Sequence, residues 1–495
     1  MIKKKDILII LAILFLITSF ILPKNFGDLD EIWNYNFAKN ILEGKAPYKD
    51  FNMIQTPLLP IIASLFLKIF GNELIIMRIL AIILCTTIFF LIYKILEERL
   101  KINSKVSLIS TLGIIWIFQE HVRIDYNFIV LLIVLILIYI ELKNDKLIKY
   151  NFKRDILIGI LAGSAILFKQ TTGMFIALVT IGYKLLIISK KEELQEFIKI
   201  AFARTAGAII PILFLIIYIS LLGIWRDFID YTIVGVKTFS NYLPYSYLFK
   251  NNKPIIKMLA VMLPIMIAIE YFFGIVKNDN TKKNKNYLIL FSFSVANAIV
   301  IFPITDEIHF LIGMLPCIIC AIYFIYNIFS KILKGKIKIF IKSFIECASI
   351  GILILYIIIL INPMKEYIQN LNKYQYLQHF RNIPISEGLE KQIEIVDEYI
   401  KNSTKEVYIL DATASVYMIP IDNYNKNYDM FLKGNLGAEG EKGIIEELKE
   451  KNNSKILIMK EGLARNWQNP EDVRKYIIEN WKKTEEIACF EVYEK

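Results

Sequence analysis

The chain consists mainly of long apolar runs that are separated by short polar connections. A run of about 20 apolar residues can cross the hydrocarbon core of a bilayer, and shorter runs cross when flanking side chains reach the interface. The pattern predicts an α-helical polytopic membrane protein with about 11 transmembrane helices. The predicted spans are residues 7–22, 74–93, 106–118, 128–142, 156–168, 172–188, 205–223, 255–276, 287–302, 310–328 and 343–361.

A twelfth apolar segment, "TPLLPIIASLFLKIFG" at residues 56–71, is predicted not to cross the membrane. It is short, it has Pro57 and Pro60 near its start, and it ends in Lys68 and Gly71. If it does not cross, the N-terminal "MIKKKD" and five basic connections lie on one side, and together they carry 26 lysines and arginines. Because cytoplasmic loops are rich in these residues, we expect a cytoplasmic N-terminus. The first run lacks a signal-peptide cleavage site, so we expect it to remain as an anchor.

After residue 361 the sequence becomes polar, and short apolar runs alternate with helical patterns. We predict strands at 406–410, 455–459 and 488–493, and helices at 441–451 and 470–480. This alternation is typical of a small α/β domain. The sequence therefore predicts two domains, 1–361 in the membrane and 362–495 outside the cytoplasm, since the number of crossings is odd.

Composition agrees with this class and excludes several others. The chain is 56% hydrophobic and 21% charged, with a mean hydropathy of +0.48. The net charge of +11 is explained by cytoplasmic loops that face anionic membrane lipids, so nucleic acid is not a predicted partner. The sequence has no nucleotide-binding glycine motif, no HExxH and no clustered Cys and His ligands, which excludes nucleotide-driven transport and zinc chemistry.

The polar residues that could carry chemistry fall in the predicted outer loops. "GDLDEIWNYNFAKNIL" has near-helical spacing, which predicts an amphipathic helix in the membrane interface with Asp30 and Glu31 in its first turn. Helix capping is the alternative explanation for this acid. Asp28 is interpreted as a solvated neighbour. Together the three carboxylates could hold a hard cation, but the sequence predicts no metal and no cofactor.

Three further outer positions have both a functional and a structural interpretation. Asp125 opens the fourth span, where an ionisable group is costly and is functional by default, although it could instead pair with Arg123. Lys169 could bind a phosphate or reach to the membrane surface. His309 could be a ligand or a packing residue. An outer site of carboxylates and cations at a lipid boundary suits sugar transfer from a polyprenyl phosphate, because phosphate leaves readily and one base suffices.

The chain resembles the GT-C membrane glycosyltransferases of the protein mannosyltransferase and aminoarabinose transferase group. The matching stretches are "DEIWNYNFAKNILEGKAPYKDF", "TPLLPIIASLFLKIFGNELIIMRIL", "RIDYNF", "GILAGSAILFKQTTG" and "HFLIGMLP". The resemblance implies juxtamembrane helices in the first outer loop, Asp30 as the base and Glu31 as its support. It aligns Asp125, Lys169 and His309 with family positions. Thr56-Pro57 replaces the family's Pro-Pro, and Phe310 replaces its usual Tyr.

We therefore predict an inverting glycosyltransferase that moves a sugar from a polyprenyl-phosphate donor to an acceptor hydroxyl outside the cytoplasm. Lys169 and Arg123 would bind the donor phosphate, and Tyr48, Gln55 and His309 would line the substrate cavity. The acceptor, a lipid, a polymer or a protein of the cell envelope, stays open. The alternatives are a lipid-linked sugar flippase or polysaccharide exporter and a membrane scaffold. A transporter is expected to place charges at the midplane and to show symmetric halves, neither of which the sequence shows.

Overall fold

The computed structural model describes residues 4–144, 146–238, 242–250, 252–277, 282–332, 335–375, 377–421, 430–463 and 469–495. Within these ranges the helices are α1 (Lys4–Thr18), α2 (Leu29–Leu42), α3 (Leu58–Phe70), α4 (Leu74–Lys94), α5 (Ser104–Phe118), α6 (Tyr126–Glu141), α7 (Phe152–Phe168), α8 (Gln170–Gly182), α9 (Lys191–Leu222), α10 (Trp225–Ile229), α11 (Pro254–Tyr271), α12 (Lys282–Asn297), α13 (Glu307–Ile332), α14 (Gly335–Asn370), α15 (Glu387–Asn402), α16 (Ala414–Met418), α17 (Gly440–Glu450) and α18 (Glu471–Asn480). The strands are β1 (Glu406–Ile409), β2 (Ser454–Met459), β3 (Lys482–Ile487) and β4 (Phe490–Glu494).

Each predicted transmembrane run lies in a helix, because apolar runs of this length satisfy their backbone hydrogen bonds best as helices. Six helices of the described ranges are long and apolar enough to cross a membrane: Leu74–Arg99, Gln170–Ile187, Lys191–Leu222, Pro254–Val276, Glu307–Ile332 and Ile350–Tyr374. Shorter apolar helices are found at Asp6–Ile21, Leu58–Phe70 and Tyr126–Glu141. The count of eleven crossings stays a prediction.

The chain divides into two compact units, and the first consists of residues 1–21, 80–215 and 242–364. Its helices present many apolar side chains outwards, such as Ile210 and Leu213 of α9, as expected of a surface that faces lipid. Helices α7 and α9 approach closely where both carry glycine. A Cβ on Gly159 would lie 2.1 Å from the carbonyl oxygen of Arg204, so only glycine fits there. Small residues are the usual means of close helix contact in membranes.

The second unit consists of residues 22–79, 216–241 and 365–495. The predicted domain boundary after residue 361 stays a prediction, while this unit groups the tail with the first loop. Helix α2 packs on α3, the indole of Trp33 donates to the carbonyl of Ala412 at 3.0 Å, and Asn36 contacts the Ser415 hydroxyl at 3.5 Å. The predicted helix is present, but it has no exposed polar face, because the tail covers the polar side of α2 and eleven of its residues are buried. Its place at the membrane interface stays a prediction.

The tail contains one four-stranded sheet in the order β1-β2-β4-β3, in which β1 and β2 are parallel and the other pairs antiparallel. The three predicted strands and two predicted helices are present within two residues of their expected ends. Strand β3, "KKTEEI", was not predicted because it lacks apolar alternation. It lies at the edge of the sheet and is almost entirely exposed, and charged side chains are typical of protected edge strands.

Candidate active site

Three carboxylates lie at the start of α2, in the second unit, and each has a different environment. Asp28 is the N-cap of this helix, and its Oδ1 accepts a hydrogen bond from the backbone N–H of Asp30 at 3.1 Å. Asp28 is therefore more than a solvated neighbour, and helix capping, the alternative explanation for this acid, holds for its carboxylate. Its carboxylate satisfies a backbone donor that would otherwise have no partner in the helix.

Glu31 forms a buried ion pair with Arg78 of α4. Nε of Arg78 donates to Oε1 at 2.9 Å and Nη2 donates to Oε2 at 3.2 Å, while Nη1 donates to the carbonyl oxygens of Leu22 and Lys24. Both side chains are at most 4% exposed. A two-fold contact of this kind holds a carboxylate in one orientation. Glu31 therefore fixes the first turn of α2 against α4.

Asp30 is the third carboxylate of this turn. It is only partly buried, its neighbour Asp28 caps the helix, and Arg78 engages both oxygens of Glu31. The backbone carbonyl of Asp30 accepts from the Asn34 side chain at 2.7 Å, so the turn that carries it is well held. The position agrees with the predicted division between Asp30 as base and Glu31 as support, and both roles stay predictions.

Tyr48 and Gln55 are joined in the same unit. The Tyr48 hydroxyl donates to the Gln55 carbonyl oxygen at 2.7 Å, and its ring lies 5.4 Å from that of Phe228 and 6.4 Å from that of Tyr231. Burial raises the pKa of Tyr48 well above its usual value, so the hydroxyl remains a proton donor. Tyr48 thus packs in the interior, and its predicted place in a substrate cavity stays a prediction, as does that of Gln55.

The first unit contains the predicted cations. Lys169 occupies the one-residue break between α7 and α8, where its backbone is extended. Its Nζ donates to Oδ1 of Asn127 at 2.8 Å and lies 5.3 Å from the centre of the Tyr126 ring. Asp125 is buried and caps α6 by accepting from the backbone N–H of Asn127 at 2.6 Å. Residues 125–127 therefore connect the start of α6 with Lys169, because Asp125 caps the helix and Asn127 accepts from the lysine.

Burial lowers the pKa of Lys169 to about 8, although the charges of Asp125 and Asp306 oppose this shift. A lysine in that range is still mostly charged at neutral pH but is poorly solvated. Such a cation gains more from an anionic ligand than an exposed lysine would, because the surroundings screen the attraction less. This is a suitable property for binding a phosphate.

Asp306 interacts electrostatically with both His309 and Arg123. Oδ1 of Asp306 accepts from the backbone N–H of His309 at 2.9 Å and lies 2.7 Å from Nδ1 of the ring. Burial alone would raise the pKa of Asp306, but the hydrogen bonds and charge of His309, with the charge of Arg123, lower it overall. The first unit thus gathers Lys169, Arg123, Asp125 and His309, all four of which were predicted for the site.

Three residues were missed as site members: Arg78, Asn127 and Asp306. Arg78 had a usable signal, since it is the one charged residue between 74 and 93, and an ionisable residue inside an apolar run indicates a specific role. Asp306 was noticed in the same outer turn as His309 but was not assigned to the site, and Asn127 had no signal of its own. Both gain their importance from contacts with His309 and Lys169. Among the described residues, no group of three or more His, Cys, Asp or Glu side chains could hold a metal ion.

Comparison with known proteins identifies the class. The family model of the dolichyl-phosphate-mannose-protein mannosyltransferases matches residues 54–218, a segment that includes Arg123, Asp125 and Lys169 but begins after Asp30. This match confirms the predicted enzyme class, a glycosyltransferase. No curated protein matches the sequence.

Two solved structures share the fold over nearly the whole chain. The crystal structure of ArnT from Cupriavidus metallidurans bound to undecaprenyl phosphate superposes with a TM-score of 0.58 at 9% identity, covering 99% of this chain and 98% of ArnT. Its apo state gives 0.55 at 9% identity, covering 98% and 97%. The chain is thus similar to membrane glycosyltransferases of the GT-C type. The resemblance stated from the sequence is confirmed, as is the fold class of a multi-pass helical membrane protein.

Proposed function

We propose that this protein transfers a sugar from a polyprenyl-phosphate donor to an acceptor hydroxyl on the outer face of the membrane, with inversion at the anomeric carbon. Lys169 is the observation that carries this proposal. A phosphate must be held in a poorly hydrated place at the lipid boundary, and Lys169 supplies a partly buried cation whose partners are a neutral amide and an aromatic ring. The undecaprenyl phosphate bound by ArnT supports a donor of this class.

In the proposed step, Asp30 accepts the proton of the acceptor hydroxyl while its oxygen attacks the anomeric carbon. The bond between this carbon and the phosphate oxygen breaks, and its electron pair leaves with the polyprenyl phosphate. Lys169, together with Arg123, offsets the charge that develops on the phosphate. A single displacement inverts the configuration, and the phosphate needs no acid to leave. Glu31 and Arg78 act by positioning the turn that carries Asp30.

The outer-face assignment rests on charge. The basic connections lie together with the N-terminus in the predicted topology, and the acidic outer loops lie opposite to them. We place the N-terminus in the cytoplasm and the tail outside it. The acceptor is a component of the cell envelope, and its chemical class, lipid, polymer or protein, stays open.

Asp30→Asn tests the base, with Asp28→Asn as the matched control. Both changes remove one carboxylate from the same turn, but asparagine is as good an N-cap as aspartate, so Asp28→Asn should keep the helix and the activity. Asp30→Asn should abolish transfer of radiolabelled sugar from a polyprenyl-phosphate donor, measured in detergent with a panel of sugars. Expression and size-exclusion profile should stay normal in both variants. More than a few per cent of activity in Asp30→Asn would remove this residue from the mechanism.

The same assay separates transfer from transport. In detergent there are no two compartments, so a flippase or exporter would show no product, whereas a transferase would form a new glycosidic bond. Absence of product with every donor in the panel, from protein that binds polyprenyl phosphate, would favour the transporter.

A further inference from the structure

A second polar site in the first unit contains none of the residues assigned to sugar transfer. A cavity of about 770 Å³ opens between the turn after α4, the end of α6 and the start of α7. Six of its eleven lining residues are basic, and none of the described lining residues is acidic. The lining residues are Arg99, Tyr139, Ile140, Lys143, Asn144, Lys146, Lys149, Asn151, Lys153, Arg154 and Leu157.

The two arginines of this cavity are held in place by the protein and still have an unused donor. The guanidinium carbon of Arg99 lies 3.8 Å from the centre of the Tyr139 ring. Arg154 donates to Asn144 Oδ1 at 3.0 Å and to the carbonyl oxygen of Lys149. The Nε atoms of both arginines are buried and have no hydrogen-bond partner among the described residues. The contacts with Tyr139, Asn144 and Lys149 hold both guanidinium groups in fixed positions at the cavity wall.

Two acids of the described residues beside the cavity, Glu141 and Asp155, are paired with cations outside its lining. Glu141 Oε1 lies 2.6 Å from Arg204 Nη1, and Glu141 Oε2 lies 3.4 Å from Lys184 Nζ. Asp155 Oδ1 lies 2.8 Å from Arg204 Nη2. These four side chains are at most 1% exposed.

Arg154 also contacts Asp155, at 2.9 Å. Three cations, Arg154, Arg204 and Lys184, therefore surround the two carboxylates of Glu141 and Asp155. Among the described residues, the six basic side chains of the lining therefore outnumber the acids that contact the lining, including Asp155 at Arg154 and Glu98 at the Tyr139 hydroxyl. This excess is concentrated at one concave place, which distinguishes it from basic residues spread over a surface.

We propose that this cavity binds the phosphate group of an anionic ligand. Guanidinium groups match the geometry of phosphate oxygens, and the lysines add positive charge around them. The ligand could be the headgroup of an anionic phospholipid or a soluble phosphate. Ile140 and Leu157 add apolar surface to the wall, and Leu157 is 46% exposed. An acyl chain could pack on this surface, so the structure favours the lipid.

Binding measurements on the full chain in a neutral detergent, after removal of co-purified lipid, test the proposal. The probes are dioctanoyl phosphatidylglycerol, dioctanoyl phosphatidylcholine and inorganic pyrophosphate, titrated by calorimetry. The cavity variant is Lys149→Gln/Lys153→Gln, whose two lysines are exposed and can be replaced without disturbing the buried charges. The matched control is Lys190→Gln/Lys191→Gln, which removes two exposed lysines from a neighbouring basic connection outside the cavity.

The cavity variant should bind phosphatidylglycerol at least about tenfold more weakly than the unaltered chain, since each basic residue near an anionic headgroup adds about 1 kcal/mol. The control should bind it as the unaltered chain does. Binding of phosphatidylglycerol alone assigns a lipid, and binding of pyrophosphate with the same dependence on Lys149 and Lys153 assigns a soluble phosphate. An equal loss in both variants, or saturable binding of no probe by the unaltered chain, overturns the proposal.

Discussion

At the scale of single residues, the role of a carboxylate depends on which hydrogen-bond donors surround it. Three acids in four positions at the start of α2 have three environments: a cap at Asp28, an ion pair at Glu31 and a partly exposed side chain at Asp30. A carboxylate that is tied by a guanidinium on both oxygens is a poor base. The proposed base is Asp30, and Asp28 and Glu31 hold the turn that carries it.

Replacing one member of the Glu31–Arg78 pair should destabilise the protein more than replacing both. Glu31→Gln or Arg78→Met alone leaves a buried charge without its partner, a loss of about 3–5 kcal/mol. The double variant Glu31→Gln/Arg78→Met removes both charges and should recover part of this loss. Thermal unfolding in detergent measures the order of the three variants. Equal melting temperatures for the single variants and the unaltered chain would contradict the structural role of the pair.

The pKa of Lys169 predicts a pH dependence of donor binding. Burial lowers this pKa to about 8, so the ammonium is charged below pH 8 and loses its charge as the pH rises through that value. The phosphodiester of a polyprenyl-phosphate sugar keeps its single negative charge over this range. The KM for the donor should therefore rise steeply above pH 8, and kcat should fall with it, because the same ammonium is proposed to offset the charge that develops on the phosphate.

Lys169→Arg provides the control, because a guanidinium remains charged throughout this range. Its KM for the donor should be nearly constant between pH 7 and about 9, even if its value at pH 7 is higher than that of the unaltered chain. The same rise in KM for both proteins would show that another group titrates.

At the scale of elements, the apolar pattern determines where helices form, and small residues determine how closely they pack. Gly159→Ala should destabilise the first unit, because the new Cβ would lie 2.1 Å from the Arg204 carbonyl oxygen on α9. Gly113→Ala in α5 is the matched control, since no atom lies within 4 Å of its Cβ and alanine favours a helix by about 1 kcal/mol. Thermal unfolding should show a lower midpoint for the first variant and an equal or higher one for the second.

The elements also show what the sequence could and could not predict. Each apolar run lies in a helix, and the break at Lys169 separates α7 from α8 as expected, because these features depend on local composition. Strand β3 and the burial of α2 were missed, because both depend on distant partners. An edge strand of charged residues gains its hydrogen bonds from β4, and α2 is covered by the tail. The site residues follow the same division: Asp125 and Lys169 were found locally, whereas Asn127 and Asp306 are defined by their contacts.

At the scale of the whole molecule, each unit is assembled from segments that are distant in sequence. The second unit joins the first outer loop to the tail through contacts such as Asn52 Nδ2, which donates to the carbonyl oxygens of Met430 and Asn435 at 2.9 and 3.0 Å. Loop and tail must therefore lie on the same side of the membrane. The number of crossings between loop and tail must then be even. The fold sets this requirement independently of the charge pattern.

This requirement gives a test of the topology. The loop at 23–73 and the tail should both lie outside the cytoplasm, since the six basic segments with 26 lysines and arginines are expected inside. A fluorescent protein that matures only in the cytoplasm should be dark when fused after Lys495 and bright when fused after Lys101. Alkaline phosphatase, which folds only outside, should give the opposite result at both positions. Fluorescence from the fusion after Lys495 would place the tail in the cytoplasm, and with it the proposed site of sugar transfer.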